Sequence, residues 1–195
     1  MVNVPDFDTL YRADPDPWQV ASSFYEQRKR AVLLASLTRA TYASAWDPGC
    51  GTGELAAQLA TRAEAVLATD TSAEAVRLTA ARCAELPRVA AGRIRQPGLP
   101  DPGNRDFDLI VVAEFAYYLT ASDRTEMWRT ISTAASEDAE IVVIHWRHDP
   151  HDAHLSGLDV NAEAVRALTS EPGWRPVVRH DDQDFVLDVL RRDAS

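Results

Sequence analysis

The sequence predicts an α/β protein built on a doubly wound, mainly parallel sheet of seven strands, with an antiparallel hairpin at its end. Three observations carry this. Short apolar runs rich in β-formers alternate with helix-period segments along most of the chain. A glycine-rich turn separates the first such run from the helix after it. The last two runs follow each other directly across a polar turn, as hairpin strands do.

Taken in order, residues 1–17 are dense in Asp and Pro (PDFDTLYRADPDP) and read as an irregular arm. Trp18 to about Leu37 reads as a helix, with Val20, Phe24, Ala31 and Leu34 near helical spacing. Ser44–Pro48 is the first strand, and a helix from about Gly53 to Thr61 follows the glycine turn. Ala65–Thr69 is a short apolar strand that ends at Asp70. Ser72 suits an N-cap for a helix from Ala73 to Leu86. A third strand is expected near Arg88–Ile94, then a loop marked by Pro97, Pro100, Pro102 and Gly103. Phe107–Phe115 (FDLIVVAEF) is apolar on both faces, the mark of a central parallel strand. Ser122 or Asp123 is expected to cap a helix reaching Ala135, and Glu140–Trp146 is the fifth strand. A polar loop rich in His and Asp follows, then helix Asn161–Leu168. Pro176–His180 and Asp184–Leu190 form the hairpin across DDQD.

Length suits one domain over residues 1–195, with 1–37 as an arm and lid helix and 38–195 as a ligand-binding core. Acidic residues outnumber basic ones, 30 to 20. That balance argues against nucleic acid as the main ligand, since its phosphates would be repelled. It also serves solubility alone. Cys50 and Cys83 make no disulfide framework. The opening MVNVPDFDTL lacks a basic start and an apolar stretch, so no secretory leader is expected, and no apolar run is long enough to span a bilayer. A reducing cytoplasm is the expected setting.

The most informative stretch is AWDPGCGTGEL. Gly49, Gly51 and Gly53 allow a sharp turn and a close backbone approach to a ligand, and the helix start offers free N–H groups. Asp70, closing the next strand, can accept both hydroxyls of an adenosine ribose. A dinucleotide and S-adenosylmethionine both satisfy that geometry. The third glycine of a dinucleotide fingerprint is missing, because Glu54 and Leu55 follow Gly53. Asp47, just before the turn, would repel a pyrophosphate but suits a cationic amino-acid tail. A glycine turn that binds nothing is the bland alternative.

DPGCGTG resembles the first motif of class I S-adenosylmethionine-dependent methyltransferases, whose fold is Rossmann-like. FDLIVVAEFAYYL (107–119) and DPDPWQVASSFYEQRKR (14–30) resemble, more narrowly, the nodulation protein S (NodS) family. The resemblance covers roughly residues 7–146. One departure is Glu137-Asp138-Ala139 where many class I enzymes turn on Pro-Gly-Gly. By this resemblance, S-adenosylmethionine is the cofactor and S-adenosylhomocysteine its product. Gly49, Gly51 and Gly53, with Asp47 ahead of them, would line the methionine part, Asp70 would hold the ribose, and Thr71 would lie beside the adenine. Arg95 and Gln96 fall in the adenine-contact region, and Glu114 at the cofactor's amino group. Trp18, Tyr25 and Arg30 would form a lid. The resemblance implies N-methylation of a small amine such as an amino sugar. No metal is expected.

Methyl transfer to nitrogen needs alignment, exclusion of water and a neutral amine. The candidates for the reacting end are Glu114, Tyr117, Tyr118, His145 and Trp146, near the ends of the fourth and fifth strands. Aromatic faces favour cations, though Tyr117 and Tyr118 could equally be core. His145 could serve as a base or be a satisfied structural histidine. The loop HWRHDPHDAH matches no named metal spacing, and Cys50 reads as a small filler. Three rivals stay open: an O-methyltransferase, a non-catalytic protein with a relict cofactor fold, and a nicotinamide oxidoreductase. The sequence does not set the oligomeric state.

Overall fold

A computed structural model describes residues 4–100 and 106–193. Its seven strands run in the order β3-β2-β1-β4-β5-β7-β6. The chain divides into two compact units, one over Pro5–Arg95 and one from Gln96 onward.

The first unit holds α1 (Phe7–Ala13), α2 (Phe24–Ser36), β1 (Tyr42–Pro48), α3 (Glu54–Leu59), β2 (Ala63–Asp70), α4 (Ala73–Arg82) and β3 (Val89–Arg93). Strands β1, β2 and β3 pair in parallel. The expected strands are all present, each within a few residues. Part of the arm, however, is helical: α1 occupies Phe7–Ala13. Asp6 caps α1 by accepting from the Asp8 and Thr9 amides, a local signal hidden among the other Asp and Pro residues. Nor does a helix begin at Trp18. The Asp16 carboxylate takes the amides of Val20 (2.7 Å) and Ala21 (3.0 Å), and Gln19 turns left-handed at φ 54°. Those amides are committed to a side chain, so helix geometry waits until Phe24. Ser72 caps α4 as expected, its Oγ accepting from Ala75 N–H at 3.1 Å.

The second unit holds β4 (Phe107–Ala113), a 3-10 turn (Ala116–Tyr118), α5 (Ala121–Ala134), β5 (Ala135–Trp146), α6 (Gly157–Thr169), β6 (Trp174–Asp181) and β7 (Phe185–Arg192). Strands β4 and β5 pair in parallel, while β7 runs antiparallel to both β5 and β6. So the hairpin is present and contributes a single antiparallel strand. Three boundaries differ from expectation. Thr120 caps α5: its Oγ1 accepts from Asp123 N–H at 3.2 Å and donates to the Asp123 carboxylate at 2.8 Å. Ser156 and Asp159 do the same for α6, which therefore starts before Asn161. Residues 137–139 are not a separate turn but an irregularity in β5: Phe107 faces Ala135 while Leu109 faces Glu140.

The core of this unit is the β4 and β5 apolar run, Leu109–Val112 and Ile141–Ile144, which is almost wholly buried. Helices α5 and α6 are joined by Arg124, whose Nε donates to both Glu163 oxygens at 3.1 Å, and by Trp128 Nε1, which donates to Glu163 Oε1 at 3.1 Å. No helix among the described residues is long and apolar enough to cross a membrane.

Candidate functional site

In the first unit, the chain leaving β1 turns on three glycines, all left-handed: Gly49 φ 77°, Gly51 φ 54° and Gly53 φ 79°. Side chains with a Cβ rarely hold such angles. The turn is also crowded. A Cβ on Gly51 would lie 2.9 Å from the Tyr11 hydroxyl, and one on Gly53 would lie 3.0 Å from the Thr79 backbone. Gly49 and Cys50 both donate their amides to the Thr69 carbonyl, at 2.7 and 3.0 Å, which fastens the turn to β2.

Asp70 closes β2 beside this turn. Its Oδ2 accepts from Gly51 N–H at 3.0 Å and its Oδ1 from Ser72 N–H at 2.9 Å. Each oxygen then keeps a lone pair for a further donor, such as a hydroxyl. Burial raises the Asp70 pKa, and these amides oppose the rise. Asp47 is different in kind. It is almost fully buried and its Oδ2 has no hydrogen-bond partner. Burial, and then the charge of Asp70, push its pKa up to about 8. A buried acid with an orphan oxygen is a ready partner for a positive group. Thr52 Oγ1, in the same turn, is also buried and unpartnered.

S-adenosylmethionine fits these residues. It carries a ribose with two vicinal hydroxyls and an amino-acid tail with an ammonium group, and the turn leaves no side-chain bulk in the way. A pyrophosphate does not fit, because Asp70 would repel it and it brings no positive group to the buried Asp47 carboxyl.

The helix α1 was absent from the sequence reading, yet it shapes this turn. Tyr11 is buried against Gly51, and Asp8 Oδ1 accepts from Ser72 Oγ (2.6 Å) and Glu74 N–H (3.1 Å), tying α1 to the α4 N-terminus. The Ser72 hydrogen bond, first, and the Glu74 amide hold the Asp8 pKa low. The readable signal was the Asp6-to-Thr9 cap spacing.

Of the other cofactor candidates here, Trp18 is 42% exposed and packs edge-on against Tyr11, with ring centroids 5.7 Å apart. Arg30 is buried; its Nη1 donates to the Val20 carbonyl (2.7 Å) and lies 3.6 Å from Glu26, while its Nε has no partner. Tyr25 is half-buried under the Lys29 ammonium, 4.7 Å from the ring centre. Thr71 is exposed, and its carbonyl accepts from Arg93 Nε at 2.9 Å. Arg95 is exposed. Cys50 is buried, with its thiol pKa raised by burial and by Asp47 and Asp70, so it is not a reactive thiolate.

In the second unit, Glu114, Tyr117, Tyr118 and His145 come together. Glu114 adopts φ 59°, unusual for a residue with a side chain. Its Oε2 accepts from the Tyr117 hydroxyl (2.8 Å) and from Trp146 N–H (2.9 Å). The Tyr117 ring meets Tyr118 and His145 edge-on, at 4.7 and 5.2 Å. Burial, then the charges of Asp152 and Glu114, push the Tyr118 pKa up, so its phenol stays protonated. His145 is fully buried. Ala116 N–H donates to its Nε2 at 3.4 Å, and its Nδ1 lies 2.9 Å from Asn161 Oδ1. Of its two readings, the satisfied structural histidine fits this geometry. Gln96 is buried with both side-chain polar atoms unpartnered.

Trp146 is 36% exposed and lies near His148, ring centroids 5.0 Å apart. Arg147 ties the His/Asp loop to the β6–β7 turn through the Asp182 carbonyl and Asp181 (3.5 Å). Among the described residues, no group of three or more His, Cys, Asp or Glu side chains could hold a metal ion. Gly157 went unnoticed in the sequence. A Cβ there would sit 1.9 Å from the Trp146 carbonyl, so only glycine lets α6 start where it does.

Fold and glycine turn together define the class I S-adenosylmethionine-dependent methyltransferases. The profile of the family "Nodulation protein S (NodS)" matches residues 8–171. The chain belongs to the NodS family. A nodulation protein S from Sinorhizobium fredii is 30% identical over 142 residues, covering 69% of this chain and 64% of that protein. The chain thus spans less than two thirds of that relative's length. A Pseudomonas syringae crystal structure, provisionally described as a methyltransferase, is 35% identical with a TM-score of 0.74, covering 87% of this chain and all of the other. The N-methyltransferase NodS from Bradyrhizobium japonicum WM9, in complex with S-adenosyl-L-homocysteine, superposes with a TM-score of 0.79 at 18% identity, over 96% of this chain and 99% of that one.

Proposed function

We propose that this chain transfers a methyl group from S-adenosylmethionine to the nitrogen of a small-molecule amine, with amino sugars the first acceptors to try. Residues 1–195 work as one catalytic domain in this reading. The observation that carries it is the orphan Asp47 carboxylate oxygen, buried at the end of β1 just before the left-handed glycine turn and near Asp70. That set favours a cofactor with a cationic tail over one with a pyrophosphate.

When bound, the cofactor supplies an activated methyl group. Asp47 would hold its amino-acid tail, the Gly49–Gly53 turn would let the backbone approach it, and Asp70 would accept ribose hydroxyls. Trp18, packed on Tyr11, would shield that turn from water together with Tyr25 and Arg30 on α2; Thr71, Arg95 and Gln96 would serve the adenine end.

For the acceptor, Glu114 offers a carboxylate and Tyr117 and Tyr118 offer aromatic faces, a set suited to an amine. As the nitrogen lone pair takes the methyl, the S–CH3 bond would break with its electron pair left on sulfur, and Glu114 would stabilise the positive charge gained by the amine before a proton leaves to solvent. The engaged ring of His145 favours an acceptor that needs no strong base, hence nitrogen over a hydroxyl. The NodS family and the N-methyltransferase named among the similar structures support the same choice.

The test is a transfer assay with isotope-labelled S-adenosylmethionine against panels of amino sugars, simple amines, phenols and carboxylic acids. Labelled amines are the expected product. Labelling of phenols or acids alone would end the amine reading.

A further inference from the structure

His145 is fully buried, and each of its ring nitrogens faces a partner. Those two contacts together select one arrangement of protons. A backbone amide can only donate, so the Ala116 N–H at 3.4 Å requires a lone pair on Nε2. The ring proton is then on Nδ1, 2.9 Å from Asn161 Oδ1.

Asn161 has no freedom to face the other way. Its Nδ2 donates to the Val143 carbonyl at 2.9 Å and to Asp188 Oδ2 at 2.8 Å, and both are acceptors. Its oxygen must therefore point at His145. Asp188 is fixed in turn by Arg179, whose Nη1 lies 3.0 Å from both carboxylate oxygens. Asn161 and His145 are fully buried and Asp188 nearly so. A half-satisfied network at this depth would be costly, so each assignment enforces the next.

The network ends on the 3-10 turn. Ala116 opens that turn, and its amide is held by His145. Tyr117, the next residue, packs edge-on against the same imidazole and gives its hydroxyl to Glu114. His145 thus grips the turn at the backbone and through a ring.

We infer that Asn161 and His145 are a positioning pair: Asn161 fixes the imidazole as its neutral Nδ1–H form, and His145 sets the turn that places Tyr117 on Glu114, without moving a proton itself. The inference rests on the proposed role of Glu114 and Tyr117 in holding the acceptor.

Two measurements test it. The first needs neither cofactor nor acceptor. Long-range nitrogen–proton spectra of the histidine-labelled protein resolve ring tautomers, and His145→Gln assigns the signal among the five histidines. The expected signal shows a protonated Nδ1 and a bare Nε2. A proton on Nε2, or on both nitrogens at neutral pH, overturns the inference. The second is kinetic, on whichever acceptor is labelled. In His145→Gln the amide oxygen can still accept from Ala116 N–H but cannot act as a base. It should keep kcat within about fivefold of the parent, while Asn161→Ala and His145→Ala raise KM for the acceptor about tenfold or more, as a lost buried hydrogen bond implies. Cofactor affinity should be unchanged in all three. A His145→Gln variant as slow as His145→Ala, with KM unaltered, would make His145 a base and refute the idea. Labelling of hydroxyl or acid acceptors alone would instead sink the amine reading, and the tautomer result would stand apart from it.

Discussion

Replacing Asp47 by Asn should stabilise the protein without its cofactor, and by an amount that grows with pH. The Asp47 carboxyl ionises near its ordinary 3.8 in the unfolded chain but near about 8 in the folded one. Below pH 3.8 both states hold the proton, and burial exacts nothing for the charge. As pH rises the unfolded chain ionises freely, while the folded chain either keeps its proton or buries a charge next to Asp70. The penalty therefore grows through this window and levels off above about pH 8. Its slope is about 1.4 kcal/mol per pH unit, so the gap between variant and parent should widen by about 3 kcal/mol from pH 5 to pH 7. For a chain of this length, that is roughly 6–12 °C in Tm. The slope matters more than the offset. The Asn amide brings its own hydrogen-bonding needs, which do not change with pH, and groups that titrate alike in both proteins cancel. Urea unfolding of the two proteins at half-unit pH steps measures the slope. Parallel stability curves would refute the reasoning, since they would mean that Asp47 already has a partner for its charge. The same substitution should weaken binding of S-adenosylmethionine in calorimetry.

Other perturbations separate binding from stability. Gly51→Ala forces a Cβ into φ 54°, at a cost of about 1–2 kcal/mol. It also pushes on Tyr11, so calorimetric affinity for S-adenosylhomocysteine should fall at least tenfold, and unaltered affinity would remove the turn from the cofactor site. Gly157→Ala places a Cβ 1.9 Å from a backbone carbonyl that cannot retreat; urea unfolding should show a loss of about 1–3 kcal/mol or more, and a neutral result would contradict the contact. Glu163→Ala strands the Arg124 guanidinium and the Trp128 N–H, for about 1–3 kcal/mol. In that case a double-mutant cycle with Arg124→Ala should show clear coupling between the two.

Much of this was legible in the sequence because its signals are local. The run from Phe107 to Ala113 needs no context to be a buried strand, and three glycines within five residues announce a tight turn. Asp70 could be placed because it follows directly on a β-run. What escaped depends on which of several local bonds wins. Asp16 looks no different from Asp6 or Asp14, yet its carboxylate captures two amides and delays α2 to Phe24. Asp6, in the same acidic stretch, starts a helix instead. The role of His145 was beyond reach for a second reason. Its partner Asn161 lies on another element, and Asp188 two elements further on. Periodicity marks Asn161 only as one residue of a helix, not as the group that decides where a proton sits.

The buried polar groups fall into two kinds, and the difference bears on mechanism. Asp47 Oδ2, at the end of β1, and Thr52 Oγ1, in the glycine turn, have no partners. Burying such atoms costs stability, and the cost is recovered when a ligand supplies what is missing. On the proposed reading, affinity for a charged cofactor would follow from that deficit. His145 and Asn161 are the opposite case, with every ring nitrogen and amide atom engaged. A satisfied network gains little from a ligand, but it resists deformation. Such rigidity suits the residues that hold an acceptor, because transfer between two bound molecules depends steeply on alignment. On this view mutations in the turn should act mainly on cofactor affinity, and mutations around His145 mainly on the acceptor. If Asp47→Asn changed acceptor KM while Asn161→Ala changed cofactor affinity, this division of labour would be wrong.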